Sequence, residues 1–404
     1  MRFSPLVERI GGEGAEAWAI HGAASAAKAR GEDVVMLSIG DPDFSTPEMI
    51  TQVAKSSLDA GDTHYSDIVG RLPLREAIAA QHRRVNGQAV GPDNVIVMAG
   101  AQNALFSTSL CLTGPGDEVI VLEPVYVTYE ATIRASGATL VTVSQPESNG
   151  FRPDIAAIEA AVTERTRAIY ITNPNNPTGV MMTRTELEGI ADIARRHDLW
   201  VVADEVYSTL TFEGQHVGMA ALPGMAERTV TISSLSKSHA MTGWRVGWVI
   251  APEPLIQHLA RLALCMLYGL PGFIQAAAAT ALRDGAQEVE RMRAIYLHRR
   301  DLLYRELDGL PGLRMIKPEA GMFLFVDIRE TGLSSTEFAW DLYRDQGVAV
   351  LDATAFGKTA DGFLRVSYTV SEEELMEGCR RIRSYLAGLA NRRGVSAVSG
   401  SKNS

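Results

Sequence analysis

The chain has 404 residues, 46% hydrophobic and 21% charged, with a formal net charge of −10. That is a globular balance, long enough for two domains, and the acidic surplus argues against a nucleic-acid surface. Cys111, Cys265 and Cys379 form no CxxC or Cys/His cluster, so no metal is expected and a reducing compartment is implied. With no secretory leader and no run of about 18 apolar residues, the expected location is the cytoplasm, with no membrane partner.

In chain order, residues 1–30 have a helical pattern. Val34 to Ile39 reads as a strand stopped by the Gly40-Asp41-Pro42-Asp43-Phe44 loop, and Thr46-Pro47-Glu48 reads as a helix start with Thr46 as N-cap. A helix follows over Leu74 to Arg84. Strands are then expected at Val95–Met98, Glu118–Val121, Thr139–Val143, Ala168–Ile171, Leu199–Ala203, Thr229–Ile232 and Val246–Ile250, with helices between most of them. This alternation predicts an α/β fold: a large domain with a mostly parallel seven-stranded sheet flanked by helices. Residues 252–308 are mostly helical, broken at Tyr268–Gly272. The N-terminal segment and the C-terminal third are expected to form a smaller α+β domain. The divisions are 1–45 (part of the small domain), 46–290 (large domain), 291–391 (small domain) and 392–404, a polar Gly/Ser-rich tail expected to be disordered.

The chemistry-bearing residues fall at strand ends, where α/β proteins place their sites. Lys237 sits between two apolar segments, in Ser234-Leu235-Ser236-Lys237. Burial would lower its pKa and free the amine as a nucleophile, the property a Schiff-base enzyme needs. Ser234, Ser236 and Arg245 add donors for a phosphate. Taken alone, the motif reads as a surface loop. Gly100-Ala101-Gln102 opens a helix and suits an anion, or is a plain turn. Asp204 could keep a ring nitrogen protonated, or cap a helix. The prolines and glycine of Asn173-Pro174-Asn175-Asn176-Pro177-Thr178-Gly179 make a rigid loop presenting Asn176. Tyr126 could stack on a planar group or fill core. Arg365, in Phe363-Leu364-Arg365-Val366-Ser367, needs an anion: a substrate carboxylate or a structural partner.

Together and in this order, from Ile39 to Ser367, these motifs resemble the fold type I (aspartate aminotransferase, class I/II) superfamily of pyridoxal 5'-phosphate enzymes. The resemblance implies that Lys237 carries the Schiff base and shuttles the Cα proton, and that Asp204 holds the pyridine nitrogen protonated. Tyr207 and Asn176 would bond the ring hydroxyl oxygen, and Tyr126 would stack on the ring. Gly100, Ala101, Gln102, Ser234, Ser236 and Arg245 would hold the phosphate. Arg365, with Gly40 and Asn176, would bind the substrate carboxylate. Tyr65 resembles the tyrosine that reaches the neighbouring subunit's phosphate, which implies a homodimer with shared sites. The implied reaction passes an amino group from an L-amino acid to a 2-oxo acid, with ping-pong kinetics.

The stretches THYSDIVG, SLSKSHAMTGW and LALCMLYGLPGFIQ resemble the arginine–pyruvate aminotransferases more closely, implying L-arginine as donor, pyruvate as acceptor and a role in arginine catabolism. An aspartate or aromatic aminotransferase using 2-oxoglutarate, or a β-lyase on the same fold, stands as the alternative. His239 replaces the usual tyrosine or phenylalanine, with packing as its simplest role. Trp18 and His21 lie in a segment similar to the family's active-site cover. Asp67, beside Tyr65-Ser66, is either a solvated loop residue or a carboxylate that attracts a cationic side chain. A fused DNA-binding domain is set aside, since only about 40 residues precede the Gly40 loop.

Overall fold

The structure, a computed structural model, describes residues 2–11 and 18–399. In chain order its strands are β1 (Val35–Met36), β2 (Val95–Met98), β3 (Glu118–Glu123), β4 (Thr139–Ser144), β5 (Thr166–Thr172), β6 (Trp200–Asp204), β7 (Thr229–Ser234), β8 (Gly247–Ile250), β9 (Arg314–Ile316), β10 (Phe323–Asp327), β11 (Val348–Ala349), β12 (Leu351–Asp352) and β13 (Phe363–Ser367). The runs Val-Ile-Val-Met in β2 and Glu-Val-Ile-Val-Leu-Glu in β3 are buried at every position, as in strands covered on both faces. They belong to a seven-stranded sheet of order β2-β8-β7-β6-β5-β3-β4. β3 to β7 pair in parallel, and β8 runs antiparallel to both its neighbours.

Helices cover this sheet because their apolar residues fall on one face. Helix Arg184–Arg196 starts at a Thr183/Glu186 capping box and buries Leu187, Ile190 and Ala194. Helix Gly272–Asp284 buries a row of alanines against helices Glu48–Asp59 and Leu72–Asn86. The common direction of β2, β3, β5, β6 and β7 has the main consequence for the site. The segments leaving their carboxyl ends, at Gly100, Tyr126, Asn173, Glu205 and Leu235, gather along one edge.

A second sheet is antiparallel, of order β12-β13-β10-β9, beside a parallel β1–β11 pair that joins Val35 to Val348. One apolar cluster unites Ile20, Ala24 and Leu37 with Tyr296, Phe338, Val348, Leu375 and Ile382. The N-terminal segment is thus sewn into the C-terminal third. The amide of Ser367 donates to the carbonyl of Leu37, which sets Gly40 and Arg365 side by side.

Local expectations change in three places. Pro47, not Thr46, is the residue before helix Glu48–Asp59. Thr46 Oγ1 instead donates to the carbonyl of Ala240 and accepts from Trp244 Nε1, because tertiary partners displace the local cap. The strand expected over Val34–Ile39 is paired only at Val35–Met36. The last helix runs Glu372–Ser399, past the point at 392 where a disordered tail was expected; residues 400–404 of that tail lie outside the described residues. No proline interrupts the Asn391-Arg392-Arg393 stretch, so the helix propagates.

The Gly40–Phe44 loop is anchored by Asp43, whose carboxylate takes a bidentate pair from Arg299 at 2.7 and 2.9 Å. Arg299 is 7% exposed and lies over Phe44. Asp43→Ala strands that guanidinium. It is expected to lower the free energy of unfolding in denaturant by about 2 kcal/mol, below the full cost of a buried pair because Asp43 is partly exposed.

Candidate active site

A cavity of about 340 Å³ opens where the two sheets meet. Its walls include Gly40, Ala101, Gln102, Tyr126, Asn176, Asp204, Tyr207, Ser234, Ser236, Lys237, Arg245 and Arg365. These residues come from positions more than 300 apart in sequence, from Gly40 to Arg365.

One corner is built for an anion. Helix Ala101–Leu112 begins there after Gly100, whose φ of +86° needs a glycine. A Cβ on Gly100 would stand 2.4 Å from Arg245 Nη2, and one on Gly247 would stand 2.6 Å from the carbonyl carbon of Gly100. The close approach brings the helix amides, the Arg245 guanidinium and the Ser234 and Ser236 hydroxyls together. Arg245 donates to the carbonyl of Thr242 and has no carboxylate partner among the described residues. Gln102 contributes only its backbone here, since its side-chain amide is engaged by Thr128 and Thr132.

The opposite wall holds Arg365, 2% exposed. Its Nη1 donates to Asn176 Oδ1 at 3.1 Å and its Nη2 to the carbonyl of Ser38 at 3.0 Å, while Nε has no partner. Phe323 lies against the guanidinium, 3.9 Å from ring centroid to Cζ. Desolvation pulls its pKa down to about 10. No carboxylate pairs with it among the described residues, so the structural ion pair weighed from sequence is not found. A buried cation with an orphan donor calls for an incoming carboxylate.

Between these ends stand Lys237 and Asp204. Lys237 Nζ donates to the carbonyl of Gly40 at 2.6 Å. Burial lowers its pKa to about 8, against the pull of Asp41 in the opposite direction. Asp204 ends β6 and caps no helix. Desolvation raises its pKa to about 6, opposed by hydrogen bonds from the Val206 amide and from Tyr129 Oη at 3.0 Å. Thr172 supports that tyrosine at 2.9 Å. Burial likewise raises Tyr126 and Tyr207.

Sequence reasoning missed Tyr129, Thr172, Asp41, Thr242 and Phe323. Thr172 and Asp204 are register partners on β5 and β6, so both strand ends were visible as neighbours once the sheet order was known. Tyr65 lies outside this cavity, 86% exposed and against Tyr268, the ring centroids 4.8 Å apart and the planes tilted by 53°. Asp67 is also exposed and outside the lining. Trp18 lines the cavity, and His21 stands behind it, 2.9 Å from Ser38 Oγ. His239 is 3% exposed, facing Ser238 Oγ through Nδ1 and the carbonyl of Ala281 through Nε2.

The comparisons with known proteins agree with this geometry. Residues 32–382 match the family "Aminotransferase class I and II". The chain belongs to that family and is a pyridoxal-phosphate-dependent aminotransferase. It is 53% identical to the arginine–pyruvate transaminase AruH of Pseudomonas aeruginosa, over 95% of this chain and 97% of that one. It is 39% identical to aromatic-amino-acid aminotransferase 2 of Thermococcus litoralis, over 88% and 92%. The aspartate aminotransferase of Thermus thermophilus with maleate superposes with a TM-score of 0.90 at 35% identity, covering 95% of this chain and all of that one. The residues present fit the cofactor: an anion corner that a Cβ would fill, a desolvated lysine, and a buried carboxylate short of a cation.

Two measurements check the electrostatics. On cofactor-free protein, a small acylating reagent is expected to label Lys237 half-maximally near pH 8, and Lys237→Arg should remove that phase. His239 is held down to about 4 by burial, from an ordinary 6.5. The unfolded chain therefore binds a proton that the fold refuses. Its contribution to stability is full above pH 6.5 and is lost as pH falls toward 4, by up to about 1.4 kcal/mol per pH unit. His239→Phe should flatten that slope in denaturant titrations between pH 7 and pH 5.

Proposed function

We propose that this chain transfers the α-amino group of L-arginine to pyruvate, giving 5-guanidino-2-oxopentanoate and alanine, in arginine catabolism. The aminotransferase chemistry rests on one juxtaposition: a buried guanidinium with no carboxylate partner among the described residues, in the same cavity as a lysine whose pKa is lowered toward neutrality. The choice of donor and acceptor rests on the relative that is 53% identical over nearly the full length of both chains. The aspartate and aromatic relatives named in the comparisons stand at 39% or below.

In this reading Lys237 holds the cofactor covalently. The Gly100–Gln102 backbone, Ser234, Ser236 and Arg245 hold its phosphate. Asp204, as an ionised carboxylate, would hold the pyridine nitrogen protonated. Tyr207 and the side-chain amide of Asn176 would donate to the ring oxygen, and Tyr126 would stack on the ring. The bound cofactor supplies an electron sink for the pair left when Cα loses its proton. Arg365 takes the substrate α-carboxylate on its free Nε and a neighbouring N–H, with the Gly40 backbone beside it. That grip would hold Cα near Lys237 Nζ, which, once the substrate amine has displaced it from the cofactor, would take the proton and later return it. Burial lets the lysine act as a base near pH 8.

The exposure of Tyr65, beside Tyr268, supports a homodimer in which it reaches the neighbouring site. Three unpaired cysteines support a cytoplasmic location. No described helix is long and apolar enough to cross a membrane.

The test uses holoenzyme and single amino acids, following the cofactor's visible absorbance. Arginine should convert it to the pyridoxamine form fastest, and pyruvate should restore it. Faster conversion by aspartate or phenylalanine would overturn the donor assignment. Ammonia and pyruvate released from a cysteine conjugate would favour a lyase. Lys237→Ala should cut turnover by at least about 10³-fold. Arg365→Gln should raise KM for every amino acid by about 100-fold.

A further inference from the structure

Charge in the cavity is unevenly spent. Three cations line it, Lys237, Arg245 and Arg365, against two carboxylates, Asp41 and Asp204. Asp204 is buried and its oxygens are held by Tyr129 and the Val206 amide. Asp41 is different. It is exposed, and its only described hydrogen bond comes from Thr242 Oγ1 to Oδ1 at 2.7 Å. It has no ion pair among the described residues. A carboxylate can accept about four hydrogen bonds, so most of its capacity is open.

Its position matters as much as its charge. Arg365 lies buried on one wall, and Lys237 reaches the carbonyl of Gly40, the residue before Asp41. Asp41 therefore follows directly on the residue that holds the amine, and it lines the cavity while remaining exposed. Thr242 pins it to the short turn Thr242–Trp244 that leads into Arg245, so the carboxylate is held rather than free to swing. Ile39 and Trp18 supply apolar wall nearby. An amino acid with its carboxylate on Arg365 and its nitrogen at Lys237 has one arm left to place. In extended arginine that arm carries the guanidinium roughly 6 Å beyond Cα, so its partner must line the same cavity apart from Arg365 and Lys237.

We propose that Asp41, held by Thr242, receives the guanidinium of the arginine donor and sets the enzyme's preference for a cationic side chain. This rests on the donor assigned above and names the group that selects it. It also moves the selecting carboxylate from Asp67, which lies outside the cavity lining, to Asp41, which is part of it. The carboxylate and planar guanidinium are suited to a bidentate pair, which a neutral or acidic donor cannot make.

The experiment compares wild-type holoenzyme with Asp41→Asn, Thr242→Val and Asp67→Asn. Asparagine keeps the shape and an acceptor for Thr242, and the site is exposed, so folding is not at stake. The first readout is calorimetric binding of 5-guanidinopentanoate and of pentanoate, which lack the amino group and do not react. The second is the ratio of kcat/KM for arginine to that for alanine, which cancels any effect of Asp41 on Lys237. Asp41→Asn should reduce the wild-type preference for the guanidino compound, and the arginine-to-alanine ratio, each by about 30-fold. The kinetic loss should fall mainly in KM. Thr242→Val should reduce both by a few-fold, and Asp67→Asn should leave both in place.

Unchanged ratios in Asp41→Asn, or equal losses for both members of each pair, would overturn the assignment. The second result would mean that Asp41 serves the shared amine instead. A fall in the ratios confined to Asp67→Asn would overturn it in favour of the other carboxylate. If wild-type enzyme itself shows no preference for the guanidino compound or for arginine, the donor reading fails first and takes this assignment with it.

Discussion

A guanidinium sits almost out of contact with solvent at Arg365 without a carboxylate partner among the described residues, and much of the surrounding architecture serves to tolerate it. An isolated buried charge is costly, and proteins usually pair it or lose its proton. Here the cost is shared by two carbonyl oxygens and by the faces of Phe323 and Phe356. The remaining deficit is Nε, buried without a hydrogen-bond partner among the described residues, on a side chain that lines the cavity. A site that binds carboxylates must keep such a deficit, because an internal aspartate would satisfy the arginine and close it. The rigidity of β10 and β13, buried along their whole lengths, holds the guanidinium where it cannot find another partner.

The same desolvation acts in opposite directions on the two other central groups. It lowers Lys237 toward its neutral form and raises Asp204 toward its own. Both shifts make chemical sense for this family. A neutral amine can attack and accept a proton, and a carboxylate short of a cation favours a protonated ring nitrogen beside it. The Thr172–Tyr129–Asp204 chain of hydrogen bonds limits the second shift and fixes the carboxylate's direction. One physical cause, exclusion of water from a shared edge, therefore shifts a lysine and an aspartate of the same cavity toward their neutral forms.

The site is split between two structural units. The parallel sheet supplies the anion corner, the lysine and the buried aspartate. The N-terminal segment and the C-terminal strands supply Gly40, Trp18 and Arg365. They act as one because β1 pairs with β11 and the Ser367 amide bonds the Leu37 carbonyl, so residues from both ends of the chain share one cluster. The Asp43–Arg299 pair then fixes the loop on which Gly40 and Asp41 ride.

Much of this was legible in the amino-acid order. Alternating apolar runs and helical periods determined seven strands in an α/β arrangement, and local composition at strand ends marked Lys237, Asp204, Asn176, Arg245 and Arg365. Those signals are local, because strand length, turn residues and a lysine between apolar segments are properties of a few neighbouring residues. Tertiary structure decided the rest. Thr46 lost its cap to Ala240 and Trp244, Gln102 turned its amide to Thr128 and Thr132, and Tyr129 was drawn from an unremarked helix start to Asp204. It also set Asp41 at the cavity and left Asp67 outside it. Such choices depend on which elements pack together, so they belong to contacts between residues far apart in the chain, and no local pattern records them.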